Sequence, residues 1–237
     1  MSLFVLTNDD GIDAPGIQAL RAAVDDIGTS VVVAPDSHLS GCSHQINRGG
    51  AIAINQRSGT DYAIGGTPAD CSRVAISHLY PDANWVLSGI NAGGNLGSDT
   101  YVSGTVAAVR EATLLRKQGI AISQYRYRSA PYDWERATRL TAKVLRKLMA
   151  TELKPGEFWN VNLPAAQTAL TDVQNSAKDE PEIVFCEQCT QPLPTEFLVD
   201  ETGFRYTGAY ENRSRDAGAD VDVCFSGNIS VVKVRMW

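Results

Sequence analysis

Leu3-Phe4-Val5-Leu6 is an uninterrupted apolar run that stops on Thr7-Asn8-Asp9-Asp10-Gly11. It reads as a short buried strand bounded by a glycine turn. In an open α/β sheet, ligands bind outside the carboxyl ends of the strands, and Asp9 and Asp10 stand at such an end. Adjacent carboxylates repel one another. A divalent cation offsets that cost best, because hard cations take oxygen ligands. Capping of the next helix is the plainer alternative, but Asp13 and Pro15 already supply its start signals. Capping therefore leaves Asp9 and Asp10 unexplained.

The apolar pattern then alternates in period. Ile17, Leu20, Ala23, Val24 and Ile27 recur at helical spacing. Residues 30–35 read as a second buried strand, suited to a parallel sheet covered on both faces. Strand, helix and strand form a right-handed crossover unit. Residues 51–64 are expected to be extended, as a hairpin outside the main sheet. Thr67-Pro68-Ala69-Asp70 is close to a capping box with proline at the first helical position, opening a helix to about Tyr80. Further strands are expected at 85–90, 119–123 and 158–163, and helices at 105–117 and 135–150. The last helix carries Ala137, Leu140, Val144, Leu145 and Leu148 on one face. Beyond about residue 165 come short strands at 184–186, 197–199 and 204–207, then a final strand from Ile229. The pattern predicts one α/β domain over 1–237, with residues 165–215 as a β-rich extension within it.

A length of 237 residues suffices for one large domain. The net charge of −6 argues against sequence-independent binding to long nucleic acids, though not against a small anion held locally. No apolar stretch is long enough to span a bilayer, and the N-terminus does not read as a secretory signal. The five cysteines, Cys42, Cys71, Cys186, Cys189 and Cys224, are an odd count that fits a reducing cytoplasm. Cys186 and Cys189 have no second pair at zinc spacing and do not sit on a strand-to-helix turn of the redox type, so a local structural role, or none, is favoured over metal or redox work.

Two further loops leave the carboxyl ends of expected strands: residues 36–44 and residues 88–99. Parallel topology brings such loops together with Asp9 and Asp10. Their pooled carboxylates, hydroxyls and amides suit magnesium, manganese or calcium and suit zinc poorly. Ser103-Gly104-Thr105 precedes a helix, where free N–H groups and the positive dipole end attract anions; capping by Ser103 or Thr105 is the alternative. There is no P-loop motif. Ala92-Gly93-Gly94-Asn95-Leu96-Gly97 misses the dinucleotide fingerprint at its first position, and the next strand supplies no acid. His38 and His44 flank Ser40 and are candidates for proton transfer, with plain surface placement the stronger reading. Tyr125-Arg126-Tyr127-Arg128 reads more as strand-edge solvation than as a base or phosphate contact.

Four segments together resemble the SurE survival protein family of metal-dependent 5′/3′-nucleotidases. They are Thr7-Asn8-Asp9-Asp10-Gly11 with Ala14-Pro15-Gly16; Ala34-Pro35-Asp36 with Ser40-Gly41 and Ser43; Gly66-Thr67-Pro68 with Asp70-Cys71; and Ser88-Gly89-Ile90-Asn91 through Asn95-Leu96-Gly97 to Ser103-Gly104-Thr105-Val106. Trp159–Pro164 and Asp220–Ser230 add support. The resemblance implies a Rossmann-like three-layer sandwich with a C-terminal β-hairpin extension, and homodimers or homotetramers. It implies one magnesium or manganese ion per subunit on Asp9, Asp10, Ser40 and Asn91, and phosphate contacts from Asn95, Ser103, Gly104 and Thr105. Relatives commonly run on past the equivalent of Trp237 into a tail exchanged between subunits.

The expected activity is metal-assisted hydrolysis of nucleoside monophosphates, with Asp9 and Asp10 as the catalytic pair and the helix N-terminus stabilising the transferring group. Two rivals remain at this stage: a nucleotide sensor that binds phosphate without cleaving it, and a metal-dependent glycosyltransferase.

Overall fold

A computed structural model describes residues 2–165 and 180–237. The opening apolar run forms β1 (Ser2–Thr7), followed by α1 (Pro15–Val24) and β2 (Gly28–Pro35). Then come β3 (Ile54–Gln56), β4 (Asp61–Ile64), α2 (Pro68–Val74), β5 (Trp85–Ala92) and α3 (Gly104–Leu114). The chain continues through β6 (Gln118–Gln124), α4 (Trp134–Leu148), β7 (Glu157–Leu163) and β8 (Ile183–Phe185). It ends with β9 (Phe197–Asp200), β10 (Gly203–Tyr206), α5 (Asp220–Phe225) and β11 (Ile229–Arg235).

Nine strands make one sheet in the order β3-β4-β2-β1-β5-β6-β7-β11-β8. From β4 to β7 every pairing is parallel, while β3 on β4 and β11 on β7 are antiparallel. β2 lies to one side of β1 and β5 to the other, with Val5 level with both Val31 and Val86. The winding thus reverses at β1, and the crevice between the carboxyl ends of β1 and β5 is the switch point where such sheets take ligands.

The pleat of β1 explains the layering. Phe4 and Leu6 point to one face, where Ile17, Leu20 and Val24 of α1 and Leu140, Val144, Leu145 and Leu148 of α4 cover them. Val5 points to the other face with Val31, Val33 and Val86, under Cys71, Ala75, Ile76 and Ala112. On that face Val106 and Val109 of α3 pack on Ala121 and Phe158. Strands buried on both sides need no polar alternation. Each fully buried aliphatic side chain contributes about 1.5–3 kcal/mol, so α4 is held by packing far more than by propensity. Asp133 fixes its start by accepting the Arg136 N–H at 2.9 Å.

The three-layer fold expected from the resemblance is present, with the antiparallel β9–β10 hairpin standing apart from the main sheet. Several local expectations are corrected. The 51–64 hairpin belongs to the main sheet, because β4 pairs with the outer edge of β2 and satisfies backbone groups otherwise left open there. β8 likewise joins the main sheet, beside β11; residues 166–179 of the expected extension lie outside the described residues. Asp13 does not cap α1: Ala14 takes that position without a side-chain bond, and Pro15 alone supplies the start signal. The Thr67–Asp70 capping box forms as expected. Tyr125 is buried, stacked on Phe225 at 4.5 Å, and is no solvated strand edge. α5 was not anticipated.

Candidate active site

The turn after β1 is built from its own side chains. Asn8 donates Nδ2–H to the Gly11 carbonyl at 2.8 Å and accepts the Gly11 N–H at 3.2 Å, with Gly11 at φ +101°. This holds Asp9 and Asp10 over the end of the sheet. Asp9 is only 3% exposed, and its Oδ1 accepts the Thr105 hydroxyl at 2.6 Å. Burial pushes the Asp9 carboxyl above its ordinary range; the Thr105 bond pulls it back, and Asp10 pushes it further up. α3 comes this close because residue 104 has no side chain. A Cβ on Gly104 would lie 2.8 Å from Asp9 Cβ and 3.0 Å from Cys42 Sγ.

Asp10 is anchored differently. Its Oδ2 accepts the Ala92 N–H at 3.1 Å, at the end of β5, and its Oδ1 lies 3.4 Å from Nδ1 of the exposed His38. The 36–44 loop is tied down by Leu39 N–H to the Asp9 carbonyl at 2.8 Å and by Ser43, whose N–H and hydroxyl reach the carbonyls of Val102 and Tyr101 at 3.1 and 2.9 Å. Ser40 follows Leu39 on this loop and is exposed. Cys42 sits against Asp9, and burial followed by the Asp9 charge pushes its thiol up. Asn91, buried at the end of β5, donates Nδ2–H to the Gly93 carbonyl at 2.7 Å, which occupies the donor end of its amide. His44 leaves this group: its Nε2 pairs with Glu111 Oε2 at 2.9 Å, farther along α3.

The 93–101 loop is held from β7 and from the end of the chain. The Asn95 N–H donates to Asn162 Oδ1 at 2.7 Å, and its carbonyl accepts Nδ2–H groups of Asn160 and Asn162 at 2.9 and 3.1 Å. Asn95 itself donates Nδ2–H to Ser123 Oγ at 2.8 Å. Asp220, fully buried, accepts the N–H groups of Gly97 and Cys189, both at 2.8 Å. Arg213 donates to Asp99 at 2.9 Å and to the Leu96 carbonyl at 3.3 Å, and the Tyr210 hydroxyl also donates to Asp99. Ser103 Oγ accepts the Val106 N–H at 3.1 Å and caps α3. Cys189 therefore has a local structural part, through its backbone.

The fold thus gathers Asp9, Asp10, Gly104 and Thr105 with Asn91 at the end of the adjacent strand. Asn95 and Ser103 lie on the loop that leads into α3, and Ser40 on the loop that crosses Asp9. Sequence reading missed Asn160, Asn162, Arg213 and Asp220 as supports. Asn160 and Asn162 did carry a signal: two amides at alternate positions of a strand that is otherwise apolar. Among the described residues no three His, Cys, Asp or Glu side chains gather as a metal site. The donor set here is two carboxylates with an amide and a hydroxyl. It fits a hard divalent cation, since among the described residues these two crowded carboxylates, one of them buried, have no lysine or arginine ion pair.

An open, doubly wound α/β protein with an acidic oxygen-donor site at its switch point, facing a helix N-terminus, is the class these features define. The model of the family described as Survival protein SurE matches residues 4–191, and the chain belongs to that family. It is 52% identical over 232 residues to a Nostoc sp. protein named "Putative 5'-nucleotidase alr3139", covering 98% of this chain and 99% of that one. It is 36% identical over 246 residues to the 5′/3′-nucleotidase SurE of Yersinia pseudotuberculosis, covering 100% and 91%. The crystal structure of the SurE protein from Aquifex aeolicus superimposes with a TM-score of 0.81 at 28% identity, covering 98% and 93%. Among the described residues no helix is long and apolar enough to cross a membrane.

Proposed function

We propose that this protein is a divalent-cation-dependent phosphomonoesterase that hydrolyses nucleoside 5′-monophosphates, with 3′-monophosphates as a further class, to nucleoside and phosphate. One observation carries the reading: the buried Asp9 carboxylate, hydrogen-bonded to Thr105, directly faces the first turn of α3. A cation site and an anion site then share one wall, which is the arrangement a phosphate ester needs. Relatives named 5′-nucleotidase and 5′/3′-nucleotidase support the same activity.

In this reading Asp9, Asp10, Ser40 and Asn91 hold one magnesium or manganese ion. Such an ion polarises a phosphoryl oxygen and acidifies bound water. Thr105 fixes the orientation and charge of Asp9. The Gly104 and Thr105 N–H groups in the first turn of α3 lack acceptors within the helix and receive the charged phosphoryl oxygens, helped by the dipole, while Ser103 takes the Val106 N–H. Ser103 and Asn95 border that position, with Asn95 kept in place by Asn160 and Asn162. Assembly as a homodimer or homotetramer belongs to the same proposal.

The test is phosphate release from AMP and GMP with manganese, with and without EDTA. Release abolished by EDTA and by Asp9→Asn supports the proposal. Nucleotide binding without release, or near-normal turnover in Asp9→Asn, refutes it.

A further inference from the structure

The segment between β6 and α4 leaves the carboxyl end of β6, the strand next to β5, and the phosphate chemistry leaves it unused. Tyr125 begins it and touches the glycine-rich loop: a Cβ on Gly94 would lie 3.6 Å from Tyr125 Cδ2. Trp134 ends it and rests against the start of α1, 3.3 Å from where a Cβ on Gly16 would stand. Gly94 lies just past the β5 residue that binds Asp10, and Gly16 is in the first turn of α1, the helix that follows the Asp10 turn. The segment therefore runs along the Asp10 side of the site, from one lip to the other. The charge of Asp10 reaches it: burial raises the Tyr132 hydroxyl pKa, Arg126 lowers it, and Asp10 adds to the rise.

Within this segment three flat groups are layered. Tyr132 stacks on Trp134 with centroids 5.0 Å apart and planes 24° apart, and the Arg126 guanidinium lies 5.0 Å from the Tyr132 ring centroid. Tyr132 and Trp134 are half-buried, and Arg126 is exposed. A half-exposed stack of this kind presents flat apolar surface to solvent, and every nucleobase has a π-face to lay on it. A guanidinium held over a tyrosine ring can itself serve as a stacking plane.

We propose that Arg126 and Tyr132 form the platform on which the nucleobase lies while its phosphate is held at Asp9 and α3. The inference rests on the nucleotidase reading and adds specificity residues to it. The platform recognises a ring by stacking, so it favours nucleotides over sugar phosphates and the larger purines over pyrimidines.

The experiment compares AMP with ribose 5-phosphate, which carries the sugar and phosphate but no base. Both KM values and both calorimetric binding constants are measured with manganese on the full chain. Loss of one base stack shifts affinity about tenfold. Tyr132→Ala is therefore expected to raise KM and Kd for AMP about tenfold relative to those for ribose 5-phosphate. Arg126→Ala should shift the same ratio in the same direction, and Arg126→Lys, lacking the flat plane, should not restore it. Tyr132→Phe keeps the ring and should keep the ratio, which separates stacking from a folding defect. An AMP-to-ribose 5-phosphate ratio equal in wild type and Tyr132→Ala overturns the platform, whatever the absolute rates. If no substrate is hydrolysed but the binding ratio shifts as described, the nucleotidase reading fails and the platform stands.

Discussion

Thr105→Val removes one hydroxyl and keeps the shape of the side chain. The lost group is the donor, at 2.6 Å, to the buried Asp9 carboxylate. A hydrogen bond to a charged group contributes about 1.5–3 kcal/mol. Taking about 2 kcal/mol, cation affinity should fall roughly 30-fold, within the usual range for groups that orient metal ligands. The sign follows from the forces on Asp9. Burial raises its pKa, Thr105 opposes that rise, and Asp10 adds to it. Without the hydroxyl, Asp9 keeps its proton to higher pH, and a protonated carboxyl does not bind a cation. The loss should be largest in acid and shrink as pH rises. Manganese titrated calorimetrically between about pH 5 and 8, where folded proteins are generally most stable, measures this directly. Thr105→Ser should retain affinity. Equal manganese affinity in wild type and Thr105→Val at every pH would refute the account, as would a loss independent of pH.

Gly104→Ala should abolish phosphate release while retaining the fold, because its Cβ collides with Asp9 and Cys42; a melting curve beside the assay checks both halves. Asn162→Leu leaves the Asn95 N–H without its acceptor and the Asn95 carbonyl with Asn160 as its remaining donor. With buried unsatisfied groups costing about 1–3 kcal/mol, it should lower kcat/KM for AMP by about tenfold or more, read by steady-state kinetics. Asp216, which accepts hydrogen bonds from Thr190 and Gln191, has its pKa lowered to about 2 by the Thr190 N–H first and then by the side chains. Its stabilising contribution is complete above the ordinary value of 3.8 and is lost as pH falls through about 2. Carboxyl NMR titration should find it there, and a value at or above 3.8 would contradict the bonding. Leu145→Ala, in the α4 contact with the sheet, should cost about 2–5 kcal/mol in denaturant unfolding with little change in KM.

The parts of the fold most legible in the sequence were those where a single period dominates. β1, β2, α4 and β7 announce themselves because burial on two faces, or on one helical stripe, leaves little choice of residue. The Thr67–Asp70 box was readable because its chemistry is local. What escaped were choices decided by distant partners. β4 shows nothing in its own residues that says it will pair with β2, and α5, only six residues long with its first four alternating in polarity, has too few turns to show a helical period. In the site, Asp9 and Asp10 stood out because adjacent acids after an apolar run need an explanation. That Thr105 turns to Asp9, or that His44 goes to Glu111, depends on how α3 approaches β1, which Gly104 permits but does not announce.

The carboxylate of Asp220 gives the chain an order of events. During synthesis Asp9 and Asp10 emerge more than two hundred residues before the anchor that grips Gly97. Until then the early acids sit beside an untethered glycine stretch. Competence therefore waits on the arrival of residue 220, and nascent fragments ending before it carry the acids without the finished pocket.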